Sequence, residues 1–516
     1  MDSQTHNVAS WLERQADTAG DRRALVDAAR VLDYATLWDR TQRCAAVLRN
    51  AGIERGDRIA ILLDNRSAYI EAFFAAACLG AIAVPINARF TAHEIKQILE
   101  DCTPRILIHE RSLTRQAELG AEHTQSPRIG LIACGGDDDP YEAALSAARP
   151  LRDLEPVTPD DPLLLLYTSG TTGVPKGALL PHRKTLYNSL NAELFLELTR
   201  SDRTLVPLPL FHSFGLLILA IPTLYAGGAV HLMSRFDPDE VWEIVDREQI
   251  TLLGGVPTMF QALVEALEQE PAMHRQRDTL RFMLTAGAAI SAELVLDFKR
   301  RNLVLTQAYG QTETSILCCL DARNAARKAG SVGRPVAHAE LRIIDPETLA
   351  GPIEQWRDVA VGETGEITVR GPITFLGYWN LPEATAATLR NGWVLTGDLA
   401  SVDEEGFITL VARARDMYIS GGENVYPAEV EKAFAEHPAI REIAVIGVLD
   451  AKWGETGRAY VVPAENTEVD AEALLNWAGE RLARFKLPRE FVVVSSLPRT
   501  ASGKVQKHRL AQINSR

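Results

Sequence analysis

YTSGTTGVPKGALLPH, residues 167–182, decides how this chain is read. Four hydroxyl side chains, Thr168, Ser169, Thr171 and Thr172, stand before and between Gly170 and Gly173, and one cation, Lys176, follows. Residues 163–166 (LLLL) read as a buried strand entering this glycine-rich loop. Glycine lets backbone N–H groups come close to an anion, and hydroxyls add further donors. A loop of this make-up is built to wrap a polyphosphate. It is not a Walker-type loop. Gly170 and Gly173 are too close together, Lys176 does not directly follow a glycine, and Gly177 stands where a magnesium-binding Ser or Thr would be needed.

Outward from the loop, strands and helices alternate. Residues 57–63 (DRIAILL), 80–85 (GAIAVP), 105–109, 204–207, 249–254 and 281–285 read as strands, and 36–50 and 67–79 as helices. The alternation predicts an α/β fold of layered, mainly parallel sheets. After Gly371 the pattern shifts to short strands and turns, read as a small β-barrel-like part. Beyond RARD, residues 413–416, a small α+β unit follows, with helices at 427–437 and 471–484 and strands at 443–448, 460–462 and 491–494. A chain of 516 residues needs two or more cores. The expected division is a large N-terminal domain over 1–412, a hinge at 413–416 and a small mobile C-terminal domain over 417–516.

Composition narrows the class. A net charge of −14 argues against nucleic acid as a main partner. No basic segment followed by an apolar one opens the chain. The apolar stretches 73–86 and 214–230 contain Gly and Pro and are shorter than the roughly 20 residues of a spanning helix, so no transmembrane segment is expected. Six cysteines, four scattered and Cys318 and Cys319 adjacent, form no disulfide framework and read as reduced core residues of a cytoplasmic protein. The acidic run GGDDDP, residues 135–140, reads as a solvated loop rather than a calcium site.

Further motifs carry chemistry. YGQTET (309–314) joins an aromatic ring, a glycine turn, a hydroxyl and a carboxylate, and a bare carboxylate beside a triphosphate suits magnesium. WVLTGD (393–398) ends in an acid that can accept from two ribose hydroxyls. TAGAAI (285–290) supplies small residues, RARDMYISGGENVYPAEVE (413–431) paired glycines beside charges, and PRTASGKVQK (498–507) a lysine in a Gly/Ser turn. PLFHSFG (209–215) sets a histidine between aromatics.

In this order the motifs resemble the adenylate-forming superfamily: acyl-CoA synthetases, firefly-type luciferases and the adenylation domains of peptide synthetases. The resemblance covers nearly the whole chain and implies a role for each motif. Thr168, Ser169, Gly170, Thr171, Thr172, Gly173 and Lys176 would hold the phosphates of ATP. Tyr309 would stack on adenine beside Gly310, Gln311 and the flat slot of Gly287, Ala288 and Ala289. Thr312 would contact the α-phosphate, Glu313 would hold Mg2+, and Asp398 with Arg413 would take the ribose. Lys504 would be the catalytic lysine, acting electrostatically on the attack at the α-phosphate. His212 would gate or contact the substrate carboxylate in an acyl pocket shared with Phe214, Gly215 and Ala288. Arg89, Gly421, Gly422, Trp453, Phe485 and Lys486 would line the path of coenzyme A.

Four positions depart from the family pattern. Ala288 and Ala289 replace part of a glycine-rich stretch, and Arg415 stands at the hinge where Asp or Lys is usual. Leu487 replaces an Arg found in some relatives, so that phosphate contact is lost or moved to Lys486.

The implied activity is an ATP-dependent acyl-CoA ligase that passes through acyl-AMP and releases AMP and pyrophosphate. The segment after His212 (SFGLLILAIP) is apolar and has no Arg or Lys for a second carboxylate. An apolar monocarboxylic acid is therefore expected, with medium- to long-chain fatty acids leading and benzoate- or cinnamate-type aryl acids next. An acyl-AMP ligase that loads a carrier protein remains open. Partners are the carboxylic acid and coenzyme A, with a homodimer as one assembly.

Overall fold

The computed structural model describes residues 7–122, 129–168, 175–269, 279–287, 290, 292–413, 417–435, 437–464, 467–498, 505 and 507–511. Two large sheets lie at the heart of the N-terminal domain. In the first, Phe282–Thr285, Leu252–Gly255, Arg203–Val206, Ala229–Leu232 and Arg23–Val26 run parallel, with Leu305–Gln311 parallel to Phe282–Thr285. In the second, Pro162–Thr168, Ile82–Pro85, Arg58–Leu62, Ile106–Glu110 and Gly130–Cys134 run parallel. Most residues of the parallel strands in both sheets are buried, and Leu, Ile, Val and Ala are frequent among them, as strands covered on both faces require. Helix Ser67–Cys78 is buried all round and sits inside the core.

Each sheet ends in an antiparallel return. Lys176–Pro181 folds back along Pro162–Thr168, so the phosphate-loop motif is the connection of a β-hairpin. Ser315–Cys319 folds back along Leu305–Gln311, so residues 309–314 form the head of a second hairpin. The sequence reading expected a strand before each motif; the antiparallel return is new. The barrel-like part is an antiparallel sheet of Glu340–Ile344, Gly365–Arg370, Trp393–Val402 and Ile408–Arg413.

The C-terminal domain packs its own sheet and helices around a separate core that includes Tyr418, Val430, Phe434 and Leu474. Its long hairpin pairs Ile440–Asp450 with Gly454–Pro463, and Glu490–Val493 lies parallel to the second strand. Helix Ala471–Gly479 is shorter than the stretch expected to 484, because it ends at the helix-breaking Gly479. The acidic loop has a structural use: Asp139 caps helix Pro140–Ala147 by accepting from the N–H groups of Tyr141 and Glu142. All six cysteines are free, and five of them are buried. Among the described residues no helix is long and apolar enough to cross a membrane.

Candidate active site

A cleft of about 990 Å³, counting the solvent at its mouth, opens between the two domains. One wall is the carboxyl end of the first parallel sheet, where ligands collect in open α/β folds. Ala286 and Gly287 follow strand Phe282–Thr285, and Gly310, Gln311 and Thr312 form the head of the 305–319 hairpin. A second wall is apolar and consists of Phe214, Ile218, Val256, Met259 and Ile316. The loop Gly421, Gly422, Glu423 and Asn424 of the C-terminal domain closes the cleft from the far side.

That loop fits because it begins with two glycines. Both have positive φ, +58° at Gly421 and +87° at Gly422. A Cβ on Gly421 would stand 2.7 Å from the Trp453 ring, and one on Gly422 would stand 3.1 Å from Val256 across the cleft. Any other residue would be strained at either position, and at Gly422 it would also crowd Val256 of the N-terminal domain.

Glu423 locks the closure. Its buried carboxylate takes His212 Nε2 at 2.6 Å and Arg89 Nη1 at 3.0 Å, both from the N-terminal domain. Burial pushes its pKa up, but His212 and Arg89 outweigh this and leave it below the usual carboxylate range. The sequence reading assigned Glu423 no role; the signal was an acid directly after the glycine pair. A second bridge lies deeper. Lys486 Nζ sits between Glu94 Oε1 at 2.8 Å and Glu429 Oε1 at 2.7 Å, all three buried. The two carboxylates outweigh the desolvation of Lys486 and raise its pKa. Its ammonium thus faces carboxylates across the domain junction, and of the two alternatives for the phosphate contact, lost or moved to Lys486, this arrangement favours the first.

The ribose candidate is prepared by its neighbours. Asp398 is buried, and its Oδ2 accepts from Tyr309 Oη at 2.7 Å and Gln311 Nε2 at 2.8 Å. Burial and the adjacent Asp398 carboxylate hold the Tyr309 phenol well above its ordinary pKa, so it stays a donor. Strand pairing sets Arg413 opposite Asp398. Glu313 Oε1 accepts from Tyr378 Oη at 2.7 Å, and Lys176 Nζ lies 5.3 Å from the centre of the same ring. The phosphate-loop lysine and the metal candidate, far apart in sequence, therefore meet around Tyr378. Among the described residues no group of three His, Cys, Asp or Glu side chains could cage a metal. A single carboxylate such as Glu313 suits Mg2+ carried in on a triphosphate, since that ion keeps waters and needs few protein ligands.

Other candidates fall as follows. Thr168 Oγ1 donates to the carbonyl of Lys176 at 3.3 Å, across the base of the phosphate hairpin. Trp453 packs over Gly421, with Arg489 5.1 Å from its ring centre. Phe485 packs against the C-terminal core. Gly215 does not serve as pocket wall: a Cβ there would lie 2.6 Å from the Pro209 carbonyl, so this glycine serves close packing behind the wall. Ser169, Gly170, Thr171, Thr172, Gly173, Ala288, Ala289, Arg415 and Lys504 lie outside the described residues.

Comparison with known proteins agrees with this geometry. Residues 12–379 match the family described as AMP-binding enzyme, and residues 429–504 match its C-terminal domain. The chain is 40% identical to a feruloyl-CoA synthase of Amycolatopsis sp over 97% of each chain. It is 38% identical to an indoleacetate–CoA ligase of Aromatoleum aromaticum, over 99% of this chain and 98% of the relative. Among solved structures, a double mutant of o-succinylbenzoate CoA synthetase from Bacillus subtilis, bound with its product analogue OSB-NCoA, superimposes with a TM-score of 0.88 at 32% identity, covering 98% of both chains. The same synthetase in complex with the acyl-adenylate intermediate OSB-AMP gives a TM-score of 0.70, again at 32% identity and 98% of both chains.

Proposed function

The chain belongs to the AMP-binding enzymes, the acid–thiol ligases that form AMP, and from that premise we propose that it joins an apolar aryl monocarboxylic acid to coenzyme A. Two half-reactions make up the cycle. The acid's carboxylate attacks the α-phosphorus of ATP, an acyl–phosphate bond forms, and pyrophosphate leaves. The sulfur of coenzyme A then attacks the acyl carbon, the bond to AMP breaks, and the thiol proton is lost to the medium.

In this reading Asp398 fixes the ribose, with Tyr309 and Gln311 holding its carboxylate in place. Thr312 reaches the α-phosphate, and Lys504 supplies the fixed positive charge for the first step. Glu313 would hold Mg2+, which would neutralise charge on the phosphates. The hinge falls at 413–416, about Arg415. The observation that carries the two-step reading is the Gly421–Glu423 loop seated in the cleft and bonded to His212 and Arg89. That closure, with the better superposition on the product-analogue complex than on the acyl-adenylate complex, supports an arrangement for the second half-reaction.

The acid class moves from the fatty acids expected first to aryl acids. Among the described cleft residues the only Lys or Arg is Arg89, and Glu423 holds it, so a second carboxylate has no partner there. Phe214, Ile218, Val256, Met259 and Ile316 form an apolar slot beside flat Ala286 and Gly287, which suits a planar ring. The names of the feruloyl-CoA synthase and the indoleacetate–CoA ligase point to the same class of acid.

Pyrophosphate release with ATP and magnesium, across aryl, straight-chain and dicarboxylic acids and with or without coenzyme A, tests the proposal. Sustained turnover that needs coenzyme A and favours cinnamate- or arylacetate-type acids is expected. Preference for dodecanoate or longer acids would return the enzyme to the fatty-acid class. Acyl-AMP that coenzyme A cannot discharge would make a carrier protein the acceptor.

A further inference from the structure

The apolar wall of the cleft is built on an uncommon turn. Residues Phe214–Ala220 form a π-helix, in which an N–H reaches the carbonyl five residues back rather than four. Ile221 N–H accordingly bonds the carbonyl of Leu216. Continuing the pattern, the N–H of residue 222 would bond the carbonyl of Leu217. Residue 222 is proline and has no N–H. A buried carbonyl left without a donor costs about 1–3 kcal/mol. Here the donor comes from another helix: Asn188 Nδ2, on His182–Leu196, reaches the Leu217 carbonyl at 2.5 Å, and both residues are almost fully buried.

This bond decides between two turns. Without it, Ile221 N–H, four residues on, can turn to the Leu217 carbonyl, which would leave Leu216 and convert the π turn to an α turn. The two turns differ in residues per turn, so the conversion would rotate Phe214 and Ile218 relative to the helix behind them. Those two side chains face the cleft. Close packing fixes the rest of the turn. A Cβ on Gly254 would stand 2.2 Å from Leu219, and one on Gly215 would stand 2.6 Å from the Pro209 carbonyl. Thr223 Oγ1 supplies a side-chain donor to the Leu219 carbonyl in the same way, at 2.7 Å.

We propose that Asn188, which does not line the cleft, is a positioning residue for acid selectivity: it holds the 214–220 turn in its π form and so sets where Phe214 and Ile218 meet the acyl group. The inference rests on the ligase reading for its activity readout, but not for its structural one.

Two variants and two readouts test it. Asn188→Leu keeps the number and branching of the side-chain heavy atoms and removes the donor. Adding Pro222→Ala restores a backbone N–H five residues after Leu217. Amide hydrogen exchange over 214–221 should speed up at least tenfold in Asn188→Leu and return towards the parent rate in the double variant. The ratio of kcat/KM for a cinnamate-type acid to that for a straight-chain acid of equal carbon number should shift at least tenfold in Asn188→Leu. It should recover in the double variant, while KM for ATP stays within about twofold. Unchanged exchange, or an unchanged ratio in a folded Asn188→Leu enzyme, would overturn the proposal. A change that Pro222→Ala fails to reverse would do the same, since general loosening of helix 182–196 would then explain it. If the parent enzyme releases pyrophosphate with no acid at all, the ligase reading fails by itself, and hydrogen exchange still decides the turn.

Discussion

Asp398 shows how one residue is prepared for its task. Two donors, Tyr309 and Gln311, hold the same oxygen and orient the carboxylate before any ligand arrives. Hydrogen bonds to a charged group contribute about 1.5–3 kcal/mol. Asp398→Ala should therefore raise KM for ATP about ten- to a hundredfold, with a smaller effect on KM for coenzyme A; steady-state kinetics with each substrate varied will show it. Gly422 is decided at the same scale. Gly422→Ala adds a methyl 3.1 Å from Val256 at a φ of +87°. In the proposed cycle it should slow thioester formation at least tenfold while leaving the burst of pyrophosphate release nearly intact. Rapid quench of the two half-reactions separates them, and equal loss in both would place Gly422 elsewhere in the cycle. From the sequence, Asp398, Glu313 and the glycine pair could be singled out by residue type and motif, and their proposed tasks rest on that. Glu423 could not be, because one acid in an acidic chain acquires meaning only when His212 and Arg89 are found beside it.

Elements join what the motifs leave separate. Helix Ala92–Cys102 opens with a capping box in which Thr91 and Glu94 satisfy each other's backbone donors. Glu94 uses one oxygen for the cap, Oε2, and the other, Oε1, for Lys486 of the C-terminal domain. Glu429, at the start of helix Pro427–Ala435, takes the other side of the ammonium. Removing the cation would leave two buried carboxylates facing each other, and breaking a buried pair costs about 3–5 kcal/mol. Lys486→Met should destabilise the closed arrangement by roughly 3 kcal/mol, read as earlier unfolding of the C-terminal domain and faster proteolysis near 413–416. Glu94→Gln, which keeps the cap oxygen, should lose less. An unchanged proteolysis rate in Lys486→Met would show that the junction does not depend on this bridge.

At the scale of the whole molecule, two buried histidines set an acid limit. Burial lowers the pKa of His182 to about 4, and burial also lowers that of His231 to about 4. Each has an Nε2 with no hydrogen-bond partner. Below the ordinary value of about 6.5 the unfolded chain takes up protons at these rings that the folded chain refuses. Stability is therefore full above about 6.5 and falls as pH drops from 6.5 towards 4, by roughly 2 kcal/mol per ring at pH 5. Urea midpoints at pH 7.5, 6 and 5 check this. The His182→Asn/His231→Asn variant should show a flatter profile, and a midpoint that does not fall below pH 6.5 would contradict the account.

Sequence by itself supplied the local chemistry on which the proposal rests, glycine and hydroxyl donors suited to phosphate and an acid suited to ribose, together with apolar runs that form buried strands and helices. These are readable because periodicity and residue type act over a few neighbours. Tertiary structure decided everything that depends on contact between distant segments. It made hairpins of both phosphate-side motifs, brought Lys176 and Glu313 together around Tyr378, and set Lys486 in a buried bridge between two carboxylates. It also formed the π turn, where a missing N–H at Pro222 meets an amide 34 residues earlier in the chain. No pattern in the chain announces such pairings, because burial strengthens a hydrogen bond or charge pair only after folding has removed the water between its partners.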